Sequence, residues 1–462
     1  MISRNALAAD LSALPEPVYS ALLAGDFSRI RRDLAQRLHH PASRREQYAC
    51  ERGIFLLEQL PEEYCLSKEA ALDIAKAAIS GFSEEELEAY LHRGELDLIR
   101  LDGEERFFCR CVESLIEGFP ALRERTFPEK RAQLLLNGEF FSHRDRCIQK
   151  IRRQGGMSCA VELKLGLSLK GQPLPPGEDA TAYLPLPIRR PGQAEIAITG
   201  WCREPDHIAP DTHPQRTACW HTKNDPRPQV WLTVCYVSSM KYVDFSAVRV
   251  SENAGRDYTG EVSPHILFTP TVRQLAHALV SPEDTNTEKV IKLYDYLTTN
   301  FRYAYSRSYP LVPCLADYCL QRRRGDCGSL AVALIALCRV LGIPARSVGG
   351  TQLEDTRSYT HDWVEVLTDD RGWIPLDPFC GVVAHWQGRE DVRRFYCGNI
   401  DPHRMISTQE FFAEFDPPAP CGRIDPYDNQ VGELICRHQA LAYQDIEFSL
   451  EILSLRDLPA ET

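Results

Sequence analysis

Residues Arg324-Gly325-Asp326-Cys327-Gly328-Ser329-Leu330 lead into Ala331-Val332-Ala333-Leu334-Ile335-Ala336-Leu337-Cys338-Arg339-Val340-Leu341. The run is apolar nearly all round, which is the pattern of a helix buried on every side. Gly342 supplies a C-terminal stop and Pro344 cannot extend the helix. Cys327 therefore falls at or beside the helix N-terminus. Backbone N–H groups without intrahelical partners and a partial positive charge collect there. A thiolate at that point is stabilised, so the expectation is a lowered pKa and a nucleophile at neutral pH. The same N–H groups suit an oxyanion forming on a carbonyl under attack. Cys338 lies inside the helix among apolar neighbours and reads as structural.

A nucleophilic thiol needs a base, and the base needs an acceptor to orient it. Downstream stand His361-Asp362-Trp363-Val364-Glu365-Val366, the turn-forming Leu367-Thr368-Asp369-Asp370-Arg371-Gly372, and Trp373-Ile374-Pro375-Leu376-Asp377-Pro378. Two β-type runs around an Asp/Gly-rich turn predict a hairpin. A hairpin centred on Asp369 pairs residues whose numbers sum to 738, and His361 and Asp377 meet that sum. Directly opposed residues have Cβ atoms about 5 Å apart, close enough for Asp377 to hold one imidazole nitrogen while the other faces the thiol. His361, Trp363 and Glu365 share one strand face, and Asp362, Val364 and Val366 share the other. Asp362 is thus expected to point away from the thiol. Trp363 reads as a wall of the site or a core residue, and Glu365 as an anchor for the sheet or a loop.

The chain has 462 residues, enough for two to four domains at roughly 100–200 residues each. Its apolar content of 44% excludes disorder as the main state. Lys plus Arg number 53 and Asp plus Glu 65, a net charge of −12 that argues against a nucleic-acid partner. No apolar run approaches the ~18 residues of a membrane-spanning helix, and no membrane partner is expected. The opening Met1-Ile2-Ser3-Arg4-Asn5-Ala6-Leu7 soon meets Asp10, Pro15, Glu16 and Pro17, too broken for a signal peptide. A cytoplasmic chain is therefore expected, with its 17 cysteines as reduced thiols. There is no Cys-x-x-Cys pair, and the Cys109/Cys111 and Cys314/Cys319 spacings do not resemble closed zinc sites. A zinc site on Cys327 and His361 lacks a convincingly spaced third ligand. No metal and no cofactor is expected.

Three regions follow from the patterning. Residues 1–154 read as helical: Ser83-Glu84-Glu85-Glu86 is a capping-box pattern with Leu87, Tyr90 and Leu91 at helical spacing, and Ala70 to Ile79 is amphipathic. Residues 155–262 read as a β-rich, sandwich-like domain, with alternating runs such as Ala160 to Leu165, Glu195 to Ile198 and Val230 to Val234 around a Pro-rich stretch. Residues 263–462 open with a helix from Asn286 to Phe301 that shows Val290, Ile291, Tyr294 and Leu297 on one face. Strands and an irregular tail follow, so the fold class is α+β.

The combination of Gly-Asp-Cys-Gly-Ser opening an apolar helix, Leu341-Gly342-Ile343-Pro344-Ala345-Arg346, His-x-Trp-x-Glu-Val and Trp-x-x-Leu-Asp-Pro resembles the transglutaminase-like superfamily. The helix before Phe301-Arg302-Tyr303-Ala304-Tyr305 and the tail from Gly398 to Met405 fit as well, so the resemblance spans roughly residues 265–440. It implies a papain-like core preceded by the helical and β regions, and a Cys-His-Asp triad: Cys327 as nucleophile, His361 as general base and acid, Asp377 as orienter. It implies a hydrolase that cleaves a peptide, isopeptide or related amide through a thioester acyl-enzyme. The same triad serves an acyltransferase or transglutaminase proper, and a retired triad would leave a binding protein. Peptide-N-glycan amidases often carry Cys-x-x-Cys zinc motifs, which this chain lacks. Tyr303 and Tyr305 are candidates for a side-chain oxyanion donor. His385, Trp386, His403, Arg404 and the run Asp425-Pro426-Tyr427-Asp428-Asn429-Gln430 are candidate cleft residues. The partner implied is an amide-containing substrate. The sequence sets no oligomeric state.

Overall fold

In a computed structural model the helix that begins at Cys327 runs to Val340, with Gly328 through Arg339 buried. Both of its ends follow from local chemistry. The Asp326 carboxylate caps the start by accepting from the Ser329 N–H at 2.9 Å. At the other end Gly342 takes a positive φ of 76°, which lets Ile343 N–H reach back to the Cys338 carbonyl and Gly342 N–H to that of Arg339. This crossed pair of bonds is the Schellman stop, and a side chain there would be strained. The structure describes residues 14 and 16–459, apart from 137–139, 245–257, 355–356 and 437–438. The Met1–Leu7 stretch on which the leader reading rests lies outside them.

The architecture is α+β. Beside the Cys327–Val340 helix lies a four-stranded antiparallel sheet in the order Gly372–Leu376, Ser358–Thr368, Ala345–Leu353, Arg404–Thr408. Leu334, Ile335 and Leu337 of the helix share one apolar core with Val348, Trp363, Val364 and Ile374 of the sheet. The Asn286–Asn300 helix closes the same core with Val290, Leu293, Tyr294 and Leu297, and it starts in a capping box between Thr285 and Glu288.

Two further sheets form the β region. One takes the order Ile446–Asp457, Gly156–Leu169, Gln229–Lys241, Gln193–Trp201. The other takes Gln439–Ala440, Glu433–Cys436, Ala180–Pro185, Thr217–Thr222, His207–Ile208. Alternating Val161, Leu163, Leu165 and Leu167 face Ala182, Leu184 and Trp220 across a shared core. Strands from after residue 430 therefore complete both sheets, and the β region is not contiguous in sequence.

The N-terminal part is helical, as its periodicity predicts. Ser83 caps the Glu84–His92 helix through the Glu86 N–H, and the amphipathic Ala70–Ile79 pattern falls in the Lys68–Ala78 helix. Its longest helix, Arg44–Glu63, lies against the tail that follows residue 420. There Arg52 donates to the Ile424 carbonyl at 3.0 Å and also reaches the Arg423 carbonyl. That contact makes the helical region a wall of the cleft.

Candidate active site

Cys327 stands between two cavities. One, of about 510 Å³, is lined by Asp362, Asp425, Asp428 and Gln430, with Phe55 and Gln59 of the N-terminal helix on its far side. The other, of about 470 Å³, is lined by His361, Tyr303, Tyr305 and Tyr359. Asp326, Cys327 and Thr360 line both.

On the second side, His361 Nε2 and Asp377 Oδ2 are 2.7 Å apart. With Nε2–H donating to the carboxylate, the neutral ring keeps its lone pair on Nδ1, which has no hydrogen-bond partner among the described residues. Asp377 is fully buried and also accepts from the Cys380 N–H at 2.9 Å and from Arg404 Nη2 at 3.0 Å. Burial alone would raise its pKa, but the His361 ring and the Arg404 guanidinium hold the carboxyl well below the usual range. Burial lowers the pKa of His361 despite Asp377, so the resting imidazole is neutral.

The contact does not arise from the predicted register. The observed pairs are Val364 with Leu376 and Thr368 with Gly372, sums of 740. Gly372, at φ 73°, closes a three-residue loop centred on Asp370, one residue further along the chain than the turn centred on Asp369. Asp377 is not in the strand at all. It caps the Pro378–Trp386 helix and turns its carboxylate back onto His361.

On the first side, the expectation that Asp362 points away from the thiol is overturned. Cys327 Sγ lies 3.7 Å from Asp362 Oδ2, with the thiol as donor. Asp362 Oδ1 accepts from Gln430 Nε2 at 2.9 Å. His361 and Asp362 lie on opposite faces of one strand, and Cys327 at the helix start touches Asp362 and shares a cavity with His361. Gly349, the cross-strand partner of Asp362, makes the room: a Cβ there would stand 2.6 Å from Asp362 Oδ1. Burial raises the pKa of Asp362 to about 7, assisted by Asp326 and Asp425. Burial, Asp425 and Asp362 likewise raise that of Asp428, whose carboxyl is hydrogen-bonded to Asp362.

The Cys327 thiol follows its surroundings rather than its helix position. Burial and the Asp362 and Asp326 carboxylates push its pKa well above the ordinary thiol value. The lowering expected from the helix N-terminus is outweighed by burial of the thiol first and by the nearby carboxylates second.

The other candidates divide. Asp425, Tyr427, Asp428 and Gln430 line the cleft, and Tyr303 and Tyr305 face the cavity that holds Cys327 and His361. Arg404 lies behind Asp377, fully buried, and also donates to Asp401 at 3.2 Å. His403 is buried against His143. Trp386 bonds the Phe301 carbonyl at 2.6 Å, next to His385, and neither lines the cleft cavities. Trp363 is a core residue, its ring 4.7 Å from the Arg404 guanidinium. Glu365 is an anchor: it accepts from Arg346 at 2.9 Å and from Arg190 of the β region. Sequence reasoning missed Tyr309, whose hydroxyl donates to Asp326 at 2.9 Å. No motif marks it, since a short loop brings it over the helix start.

Residues 273–378 match the transglutaminase-like superfamily. The chain carries a transglutaminase-like core. The matched segment takes in Cys327, His361 and Asp377. The chain is similar to the uncharacterized protein YebA of Bacillus subtilis strain 168, at 29% identity over 174 residues. That match covers 32% of this chain and 23% of YebA, so the chain spans under a quarter of that relative's length. Solved structures with some likeness include a proposed cysteine protease from Cytophaga hutchinsonii, at 15% identity and a TM-score of 0.41 over 65% of this chain and 91% of that one. The periplasmic domain of TgpA from Pseudomonas aeruginosa has 18% identity and a TM-score of 0.26, over 54% and 95% of the two chains. Among the described residues, no helix is long and apolar enough to cross a membrane.

Proposed function

We propose that the transglutaminase-like core is a cysteine hydrolase of amide bonds, with Cys327 as nucleophile, His361 as general base and acid, and Asp377 as orienter. The observation that carries this reading is the His361 ring. Asp377 occupies one nitrogen, the other keeps a lone pair with no hydrogen-bond partner among the described residues, and the residue lines a cavity together with Cys327.

The steps follow from those positions. His361 Nδ1 takes the thiol proton as sulfur attacks the carbonyl carbon. Negative charge collects on the carbonyl oxygen, where the first N–H groups of the Cys327–Val340 helix can stabilise it. His361 then protonates the leaving amine, and a thioester remains on Cys327. Water, losing its proton to His361, releases the acid and restores the thiol. Acyl transfer differs only in the last step, where an amine replaces water. Hydrolysis is preferred because nothing in the cleft marks a dedicated amine site.

The test is acylation by p-nitrophenyl acetate at about pH 7, with the acetyl group mapped along the chain, which reads a thiol activated by its base during attack rather than a resting thiolate. Cys327 is expected to be acylated ahead of the exposed Cys65, Cys109 and Cys202, since His361 takes the thiol proton during attack, and to lose that lead in His361→Ala. Equal labelling in both proteins would sink the triad and favour a binding role. Ammonia release from a glutaminyl peptide, with and without a primary amine, separates hydrolysis from transfer.

A further inference from the structure

Away from the cleft, three lone-pair side chains converge in the interior. His143 and Cys147 sit one turn apart on the Ser142–Gln154 helix and so share a face. His403 directly precedes the Arg404–Thr408 strand. All three are buried. His143 Nε2 lies 2.5 Å from His403 Nδ1, and Cys147 Sγ lies 3.5 Å from the same nitrogen. A single lone pair on His403 Nδ1 accepts one good hydrogen bond, yet two groups are directed at it. The second nitrogen of His403 faces Asp457 Oδ1 at 3.6 Å.

We propose that His143 Nε2, Cys147 Sγ and His403 Nδ1 form a binding site for a divalent transition ion of the Zn²⁺ type, with the Asp457 carboxylate orienting His403 through Nε2. The donor set suits that choice. Two imidazoles and a thiolate favour zinc over calcium or magnesium, which take oxygen. A carboxylate on the far nitrogen of a ligating histidine is the usual support for such a ligand. Tetrahedral bonds of about 2.0 Å to nitrogen and 2.3 Å to sulfur place two nitrogens about 3.3 Å apart and nitrogen and sulfur about 3.6 Å apart. The Cys147 Sγ to His403 Nδ1 distance is already 3.5 Å and the three ligand atoms lie within 4.8 Å of one another, while the two ring nitrogens, at 2.5 Å, must open.

Protons balance as follows. Cys147 gives its proton to solvent on binding. His143 keeps its single ring proton, which moves from Nε2 to Nδ1. Arg146, whose Nη2 is 3.2 Å from that Nδ1, must then turn outward, and it lies on the exposed side of the helix. A water completes the coordination. The ion would staple the last N-terminal helix to the residue beside Arg404, the cation that holds Asp377.

The test uses the full chain loaded with Co²⁺ and then desalted. The wild type is expected to keep about one cobalt per chain and to show a thiolate-to-cobalt charge-transfer band. Cys147→Ser and His143→Gln should lose both, Asp457→Asn should bind roughly tenfold more weakly, and Cys327→Ser should match the wild type. Circular dichroism checks that each variant is folded. If His143→Gln unfolds, the near-isosteric Cys147→Ser carries the test, with Zn²⁺ displacing the cobalt. No band in the wild type would overturn the site and leave a proton-sharing histidine pair. So would a band that survives Cys147→Ser, or one lost only in Cys327→Ser or Cys65→Ser.

Discussion

The Cys327 thiol donates to Asp362 Oδ2 at 3.7 Å, so the nucleophile of the proposed triad rests against a buried carboxyl rather than against its base. With a pKa of about 7, Asp362 is neutral on the acid side and charged on the basic side of neutrality. A charge at that distance opposes thiolate formation by an amount of order 4 kcal/mol at an effective dielectric of about 20. Attack on a substrate then requires the thiol to leave Asp362 for His361.

The first prediction concerns that carboxyl. In Asp362→Asn the Cys327 alkylation rate at about pH 8 should rise roughly tenfold or more, since the group removed is ionised there. The wild-type rate profile should show an inflection near pH 7 that the variant lacks. Superimposable profiles would remove Asp362 from any role in setting the thiol.

Gly349→Ala tests the same relationship from the neighbouring strand. A Cβ 2.6 Å from Asp362 Oδ1 must displace that carboxyl. The variant should reproduce the raised Cys327 reactivity of Asp362→Asn, read by the same alkylation series. It should also lose about 1–3 kcal/mol in urea unfolding.

Asp377→Asn should abolish the preferred acylation of Cys327 by p-nitrophenyl acetate, because the imidazole loses the acceptor that holds its Nε2 proton. Stability should fall too. The Asp377 carboxyl has a depressed pKa, so its contribution is present above the unfolded value of about 3.9 and is lost only as pH falls through the lower folded value. The gap between wild type and variant in urea melts should therefore be full at neutral pH and close in strong acid.

Arg404→Met leaves the buried carboxylates of Asp377 and Asp401 without their shared cation. Removing one partner of a buried charge cluster costs about 3–5 kcal/mol. The unfolding midpoint should drop accordingly. Arg404→Lys should recover only part of it, since an ammonium cannot reproduce the planar guanidinium that also stacks on Trp363. A midpoint unchanged in Arg404→Met would show that the cluster does not depend on this charge.

Much of this was open to sequence reasoning for a physical reason. The Cys327 helix, its Asp326 cap and its Gly342 stop depend on residues within one or two turns of each other. The Ser83 cap and the Asn286–Asn300 helix are equally local. Register was the first thing to escape, because moving the loop centre by one residue, from Asp369 to Asp370, shifts every pair along the strands. The fate of Asp362 escaped as well. Alternation assigns a strand face, but not what crosses the strand end.

The sequence by itself determined the order of elements, the apolar helix with a cysteine at its start, and the residue types gathered around it. Tertiary structure alone decided that Asp362 touches the Cys327 thiol, that His361 lines a cavity with it on the other side, and that the thiol's pKa is raised. It alone brought strands from beyond residue 430 back to residues 156–185 and placed His403 against His143 and Cys147. Short-range pattern fixes backbone geometry, whereas a pKa or a ligand set depends on burial and on charges contributed from distant parts of the chain.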